Sequence, residues 1–163
     1  MKKVLTIALL ALLGVYLTGR ITLGANGAMN FLIEMENLSN NGKADEVCAL
    51  FSDDLEVSLS DHTSEEAKDL NGGKEELCEY THAAVAALRM LPHKMNVEWT
   101  EFEVTRSWWH PWTSEISFTE DRTLMIRGAN VRLNTTSVNT MTLVQTFSGV
   151  KLRKLTGESW LAE

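Results

Sequence analysis

The sequence predicts an α+β domain, and three observations carry that assignment. Apolar residues recur at helical spacing in three segments before Pro92. After Pro92 they alternate with a period of two. The resulting order is helix, helix, strand, helix, then a run of antiparallel strands, with the helices segregated from the sheet along the chain.

Each element has its own justification. Phe31, Leu32, Met35 and Leu38 share a face within Met29–Ser39, which predicts the first helix. Asn40-Asn41-Gly42 ends it, because Gly adopts the left-handed conformation that closes helices. A short second helix is expected over Ala44–Phe51, with Val47, Leu50 and Phe51 on one side. Ser52-Asp53-Asp54 is expected as a turn, and Leu55, Val57 and Leu59 then alternate with polar residues as a half-buried strand. Asp61 to Lys74 is polar and holds Gly72-Gly73, so it is expected as a loop with a helical turn near Ser64–Asp69. A third helix spans about Lys74–Met90, with Leu77, Thr81, Ala84, Val85 and Leu88 as its stripe, and Pro92 stops it.

In the sheet half, Val97 and Trp99 hold one parity while Phe102 and Val104 hold the other. Such a switch predicts a bulge near Thr100-Glu101, and bulges bend sheets. Ile116, Phe118, Leu124 and Ile126 keep one parity through the next strand. Val138–Leu155 is a longer strand region interrupted around Ser148-Gly149, and Thr156-Gly157 is expected to turn into a last short strand through Trp160.

Composition removes several function classes. The 163 residues amount to one domain, and 44% hydrophobic with 23% charged residues is globular rather than disordered. Setting aside Lys2, Lys3 and Arg20 from the 15 basic residues leaves 12 against 22 acidic ones. A net-acidic domain repels phosphate backbones, so no nucleic-acid partner is expected. Two Cys cannot make a four-thiolate zinc site, and His62, His82, His93 and His110 lack the spacing of a local metal motif. No metal or cofactor is expected.

Met1-Lys2-Lys3 precedes sixteen uncharged residues, Val4 to Gly19, and then Arg20. A basic stub before an apolar run is the layout of an export segment. Residues 1–27 are therefore read as a signal peptide or a single membrane anchor, and 28–163 as the folded domain. Cleavage would fall between Gly27 and Ala28. An anchor of sixteen residues reaches roughly 24 Å, short of the ~30 Å hydrocarbon core but extendable through Ile21 and Leu23. Either way, the domain is expected on the periplasmic side of a bacterial inner membrane, anchored through residues 4–19 or released. No Cys follows the run, which excludes a lipoprotein.

The chain resembles the NTF2-like (SnoaL-like) superfamily over about residues 29 to 163. The resemblance rests on Asn41-Gly42-Lys43, Ala49-Leu50-Phe51-Ser52-Asp53-Asp54, Gly72-Gly73-Lys74-Glu75-Glu76-Leu77 and Arg153-Lys154-Leu155-Thr156-Gly157-Glu158-Ser159-Trp160, in that order. It implies a cystatin-like cone, a curved antiparallel sheet packed on three helices, often with a pocket at its mouth. The superfamily spans isomerases, cyclases, dehydratases, secretion-system subunits and binding domains, so fold alone leaves the activity open. Counted without gaps from Gly42 and Leu50-Phe51, the isomerase branch's oxyanion-donating Tyr falls on Met35 and its general-base Asp on Leu59. Neither a thioether nor an isobutyl group can perform those steps. Met35 and Leu59 are expected to line the pocket instead.

Asp61-His62 sits where the first strand leaves the fold, and His82 lies at the edge of the third helix's stripe. All three are candidate acid/base groups, against the plain reading of solvated or half-buried polar residues. Cys48 and Cys78 lie on different helices. A disulfide between them would stabilise by about 3–4 kcal/mol, the alternative being two separate buried thiols. Trp108-Trp109-His110-Pro111-Trp112 cannot turn every indole inward, so Trp108, Trp109 and Trp112 are read as a protein or membrane contact, or as a hairpin folded back on itself.

These readings favour a non-catalytic module that binds a partner protein or a small apolar ligand. Two alternatives stay open: a small lyase or isomerase acting in the cone, and an anchored subunit of a membrane assembly. A homodimer is compatible with each.

Overall fold

The computed structural model describes residues 14, 16, 22–64, 69–90, 93–126 and 131–162. Most of the apolar run 4–19, part of the helical turn expected near residues 64–69, and Pro92 lie outside them.

Helix α1 (Ala25–Asn40) begins earlier than its apolar stripe announces. Leu23 is the reason: it is 0% exposed, and behind it the Ala28 N–H donates to the Gly24 carbonyl at 2.9 Å, which extends the helix upstream. The helix ends where expected, with Gly42 at φ 74°. Helix α2 (Ala44–Ala49) buries Val47 and stops short of Phe51. Phe51 is taken by the sheet, because Leu152 pairs with it and donates its N–H to the Leu50 carbonyl at 2.9 Å.

Strand β1 (Phe51–Asp61) therefore contains Ser52-Asp53-Asp54, where the sequence suggested a turn. A register shift between Phe51 and Glu56 absorbs these residues as an irregularity in the pairing. A short β2 (Leu70–Gly72) pairs antiparallel with Val57–Leu59, inside the segment expected as a loop. Three residues are too few to display a period. Helix α3 (Lys74–Met90) matches its expected span, burying Leu77 and Val85. Cys48 on α2 and Cys78 on α3 form a disulfide with Cα atoms 5.5 Å apart, so the two helices are tied covalently.

Strands β3 (His93–Thr105), β4 (Thr113–Ile126), β5 (Val131–Thr146) and β6 (Gly149–Leu161) complete one sheet in the order β2-β1-β6-β5-β4-β3. All neighbours are antiparallel except β1 and β6, which run parallel. The parity switch in β3 is a bulge: register shifts between Thr100 and Glu103, and Glu101 sits at φ 51°. Further shifts in β1/β6 and β5/β6 help give a curved, unclosed sheet around the helices.

Two strand boundaries differ from expectation. β5 starts at Val131, because its polar first half pairs with β4 as regularly as its apolar second half. Thr156-Gly157 is not a turn but the middle of β6, paired with Thr140 and Asn139. Gly157 is needed there for close approach: a Cβ would overlap Asn139 Oδ1 and lie 3.0 Å from the Val138 carbonyl oxygen. The core fills the concave side, with Phe31, Leu32, Ile116, Phe118, Leu143 and Leu152 at its centre. Among the described residues, no helix is long and apolar enough to cross a membrane.

Candidate functional site

Strand parity builds the site. On β4, Ile116 and Phe118 point into the core, and the same parity continues to Glu120 and Arg122. On β5 the inward series runs from Thr135, Ser137 and Asn139 to buried Met141 and Leu143. On β1 it runs from Leu55 and Val57 through Leu59 to Asp61, and on β6 from Leu155 through Gly157 to Ser159. Each strand thus carries apolar residues inward at one end and polar residues inward at the other. The outcome is a 480 Å³ cavity between the concave sheet and α1 and α3, with an apolar floor and a polar mouth. That volume lies within the roughly 300–1,000 Å³ of small-molecule sites.

Val47, Phe51, Leu77, Met141, Leu152 and Leu155 make the floor. Met35 from α1 and Leu59 from β1 both line the cavity. At the mouth, Arg122 is held between two carboxylates: Glu120 at 2.8 Å and Glu36 at 3.5 Å. Trp99 Nε1–H donates to the second Glu120 oxygen at 3.1 Å. Asp61 accepts from the Thr63 N–H at 2.9 Å and from the Ser159 hydroxyl at 3.3 Å. Burial pushes the Asp61 carboxyl up, but the hydrogen bonds from Thr63 and Ser159, helped by neighbouring His62, outweigh it and hold the group below its ordinary range. The mouth is acidic: Glu36, Asp61, Glu120 and Glu158 line the cavity against the single guanidinium of Arg122 among the described lining residues.

The three acid/base candidates separate. Asp61 is in the cavity. His62 is outside it, with its ring stacked on Trp160 at 6.0 Å and its backbone N–H donating to the Ser159 carbonyl. His82 faces outward between α3 and α2, where Nε2 meets Asp45 Oδ1 at 3.3 Å. No histidine lines the cavity among the described residues, and none of their acidic, His and Cys side chains group as a metal site. Neither imidazole is among the cavity's lining groups, whereas Asp61 is.

The polar ring of Glu36, Glu120 and Arg122 was missed in the sequence, although the signal was present. Glu120 and Arg122 sit on the same parity as Phe118 and Leu124 and are therefore aimed inward. Glu36 directly follows Met35 at the edge of the α1 stripe. The Trp-rich segment does not fold back on the sheet: Trp108 and Trp109 stack edge to face with centroids 5.3 Å apart, and both are exposed.

A curved, unclosed six-stranded sheet over three helices, with a pocket between them, has clear likenesses among solved structures. A protein from Novosphingobium aromaticivorans named as a scytalone dehydratase superposes with a TM-score of 0.63 at 10% identity, over 83% of this chain and 82% of its own. An NTF2-like protein with a cystatin-like fold from the same organism gives 0.58 at 14% identity, over 82% and 79%.

This chain has the NTF2-like fold.

A Streptomyces avermitilis protein named as a dehydratase of the NTF2-like family gives 0.56 at 18% identity, over 77% of this chain and 88% of its own. These are likenesses of fold. No family model matches the chain, and no curated protein matches it in sequence. Within the NTF2-like fold the cavity lies between the curved sheet and the helices, and Met35 and Leu59 contribute hydrocarbon to it.

Proposed function

We propose that this chain is an extracytoplasmic, membrane-tethered NTF2-like module that binds a small amphiphilic ligand in its cone without proton-transfer chemistry. One observation carries the reading: a built cavity with an apolar floor whose mouth polar groups are already paired with one another. An apolar body gains on the order of 25 cal/mol for each Å² of surface it buries on the floor. A hydroxyl or ammonium end can then bind the carboxylates of the acidic mouth. A general base works best with its pKa near the operating pH, and the hydrogen bonds on Asp61 move it away from that condition.

The compartment has two supports. The Cys48–Cys78 disulfide suits an oxidising space. Cleavage after Gly27 would cut inside α1 and remove Leu23 from the core, which favours the retained anchor.

Thermal shift against straight-chain alcohols, amines and carboxylic acids tests the binding claim. Alcohols and amines are expected to raise the midpoint and acids are not; an Ala84→Trp variant, which fills the cavity, abolishes the shift. A flat response to every probe, or a shift that survives Ala84→Trp, overturns the reading. The second reading, a lyase or isomerase, is favoured by Asp61 standing in the cavity and by neighbours named as dehydratases. Turnover of a hydroxy-ketone that disappears in Asp61→Asn, with binding intact, would establish it instead.

A further inference from the structure

The β3–β4 and β5–β6 loops converge on where the N-terminal run joins the fold. Trp108, Trp109 and Trp112 occupy the β3–β4 connection, and Phe147 forms the tip of the β5–β6 hairpin. The Gln145 N–H donates to the Trp112 carbonyl at 2.8 Å, which places the loops side by side. The Thr22 hydroxyl donates to Gln145 Oε1 at 2.7 Å, and Leu23 beside it is locked in the core. The apolar run of residues 4–19 therefore ends only three residues from the aromatic loops, within roughly 10 Å of extended chain.

The exposures are unusual for a solvated pole: Phe147 113%, Trp109 76%, Trp108 72% and Trp112 49%. Four large aromatics so exposed and so close form a patch that calls for a partner. The chain has 22 acidic residues, yet none lies in 105–114 or 144–150. Arg106 and His110 are the ionisable groups of these stretches. Indoles with apolar bodies and N–H tips favour the headgroup level of a bilayer.

We propose that this aromatic pole rests on the bilayer that the residue 4–19 run enters, so that Trp108, Trp109, Trp112 and Phe147 form an interfacial foot beside the anchor. This rests on the tethered-module reading above. The foot also orients the cavity. Asp61, Glu158 and Ser159 lie at the far ends of β1 and β6, eight or more residues along β6 from Val150, or roughly 27 Å at strand rise. The mouth then opens away from the lipid, and the ligand enters from the aqueous side. Acidic residues are absent from the foot and basic ones are few, so the contact depends on aromatic burial rather than on lipid charge.

Brominated-lipid quenching of the full chain in phosphatidylcholine vesicles tests this. Three of the five tryptophans lie in the foot, so bromines in the upper acyl chain are expected to remove about three fifths of the emission. Trp99 and Trp160, in the mouth half, stay bright and report that the fold is intact. The triple variant Trp108→Ser/Trp109→Ser/Trp112→Ser is expected to lose the quenching, and adding Phe147→Trp to it restores a quenchable signal. A chain that sediments with vesicles while its indoles remain open to acrylamide overturns the foot but leaves the tether standing. A chain that does not sediment overturns both. Protection of the indoles by cross-linking to a second copy or to another protein also overturns the lipid assignment.

Discussion

Trp99 and Glu120 are cross-strand partners on β3 and β4, and the indole N–H closes on the Glu120 carboxylate at 3.1 Å. The other Glu120 oxygen takes Arg122, which reaches on to Glu36 of α1. A continuous polar chain thus joins the sheet edge to the first helix over the cavity mouth. It shapes the cavity's opening and sets the charge at its mouth.

Arg122→Gln removes the only cation from that chain and leaves Glu36 and Glu120, with side chains 16% and 17% exposed, facing each other. Arg122 is itself 38% exposed, so solvent screening trims the effect. The expected loss is about 1–2 kcal/mol in urea unfolding. Adding Glu36→Gln removes the leftover repulsion and is expected to recover part of it. An unchanged midpoint in Arg122→Gln would show that the chain of contacts does not hold the mouth together.

The Cys48–Cys78 bond closes a separation of thirty residues between α2 and α3. Cys48→Ser/Cys78→Ser is expected to cost about 3–4 kcal/mol on the chain-entropy account. Reduction of the parent protein lowers its thermal midpoint to match the double variant. If reduced and oxidised protein melt together, the bond is not formed in solution.

Much of the fold is legible in the sequence because burial leaves a period behind. The α3 stripe, the Gly42 stop and the bulge near Thr100-Glu101 follow directly from side-chain order. Where the pattern misleads, a long-range partner decides. Phe51 is drawn out of its helix by Leu152, Ser52-Asp53-Asp54 is carried into β1, and Gly157 stays in strand because Asn139 needs the room. The candidate site is less legible. An inward polar residue looks like an outward one until the strand's facing is fixed by its neighbours, so Glu120 and Arg122 pass for surface. His62 and His82 attract notice by type alone and sit outside the cavity.

Ser114 is 2% exposed, and its hydroxyl has no hydrogen-bond partner among the described residues. Its desolvation is uncompensated, so Ser114→Ala is expected to be stabilising by up to about 1 kcal/mol. Calorimetry decides it, and a clear loss of stability would mean that the hydroxyl is satisfied in solution.

Gly157→Ala pushes a methyl group into Asn139 and toward the Val138 carbonyl. Overpacking of this kind is expected to cost about 1–3 kcal/mol. The double variant Gly157→Ala/Asn139→Ala frees the side-chain space, while the 3.0 Å approach to the carbonyl remains. Partial rather than full recovery is therefore expected. Full recovery would assign the whole cost to Asn139.

Acid lability follows from the carboxylates. Burial raises the Asp61 carboxyl, yet the hydrogen bonds from Thr63 and Ser159 win and hold it low; Asp54 is held low by the Ser52 hydroxyl and Arg153. A carboxyl whose folded value is depressed stabilises the fold above its unfolded value, about 3.9 for Asp, and loses that contribution as pH falls through the folded one. Stability is thus expected to hold from neutrality to about pH 4 and to decline below it. Asp61→Asn still accepts the Thr63 N–H but no longer changes charge, so its stability is expected to fall less steeply below about pH 4. Asp53 and Glu76 are held low as well, through Lys74 and the Gly73 N–H respectively, but both are fully exposed, and salt screens the Lys74 charge on Asp53. Repeating the titration at high salt separates charge from hydrogen bonding: only the part of the Asp54 share that Arg153 supplies shrinks, while the parts that the Ser52 hydroxyl gives Asp54 and that Thr63 and Ser159 give Asp61 persist. If Asp61→Asn and the parent decline with the same slope, the Thr63 and Ser159 contacts do not hold the carboxylate in solution.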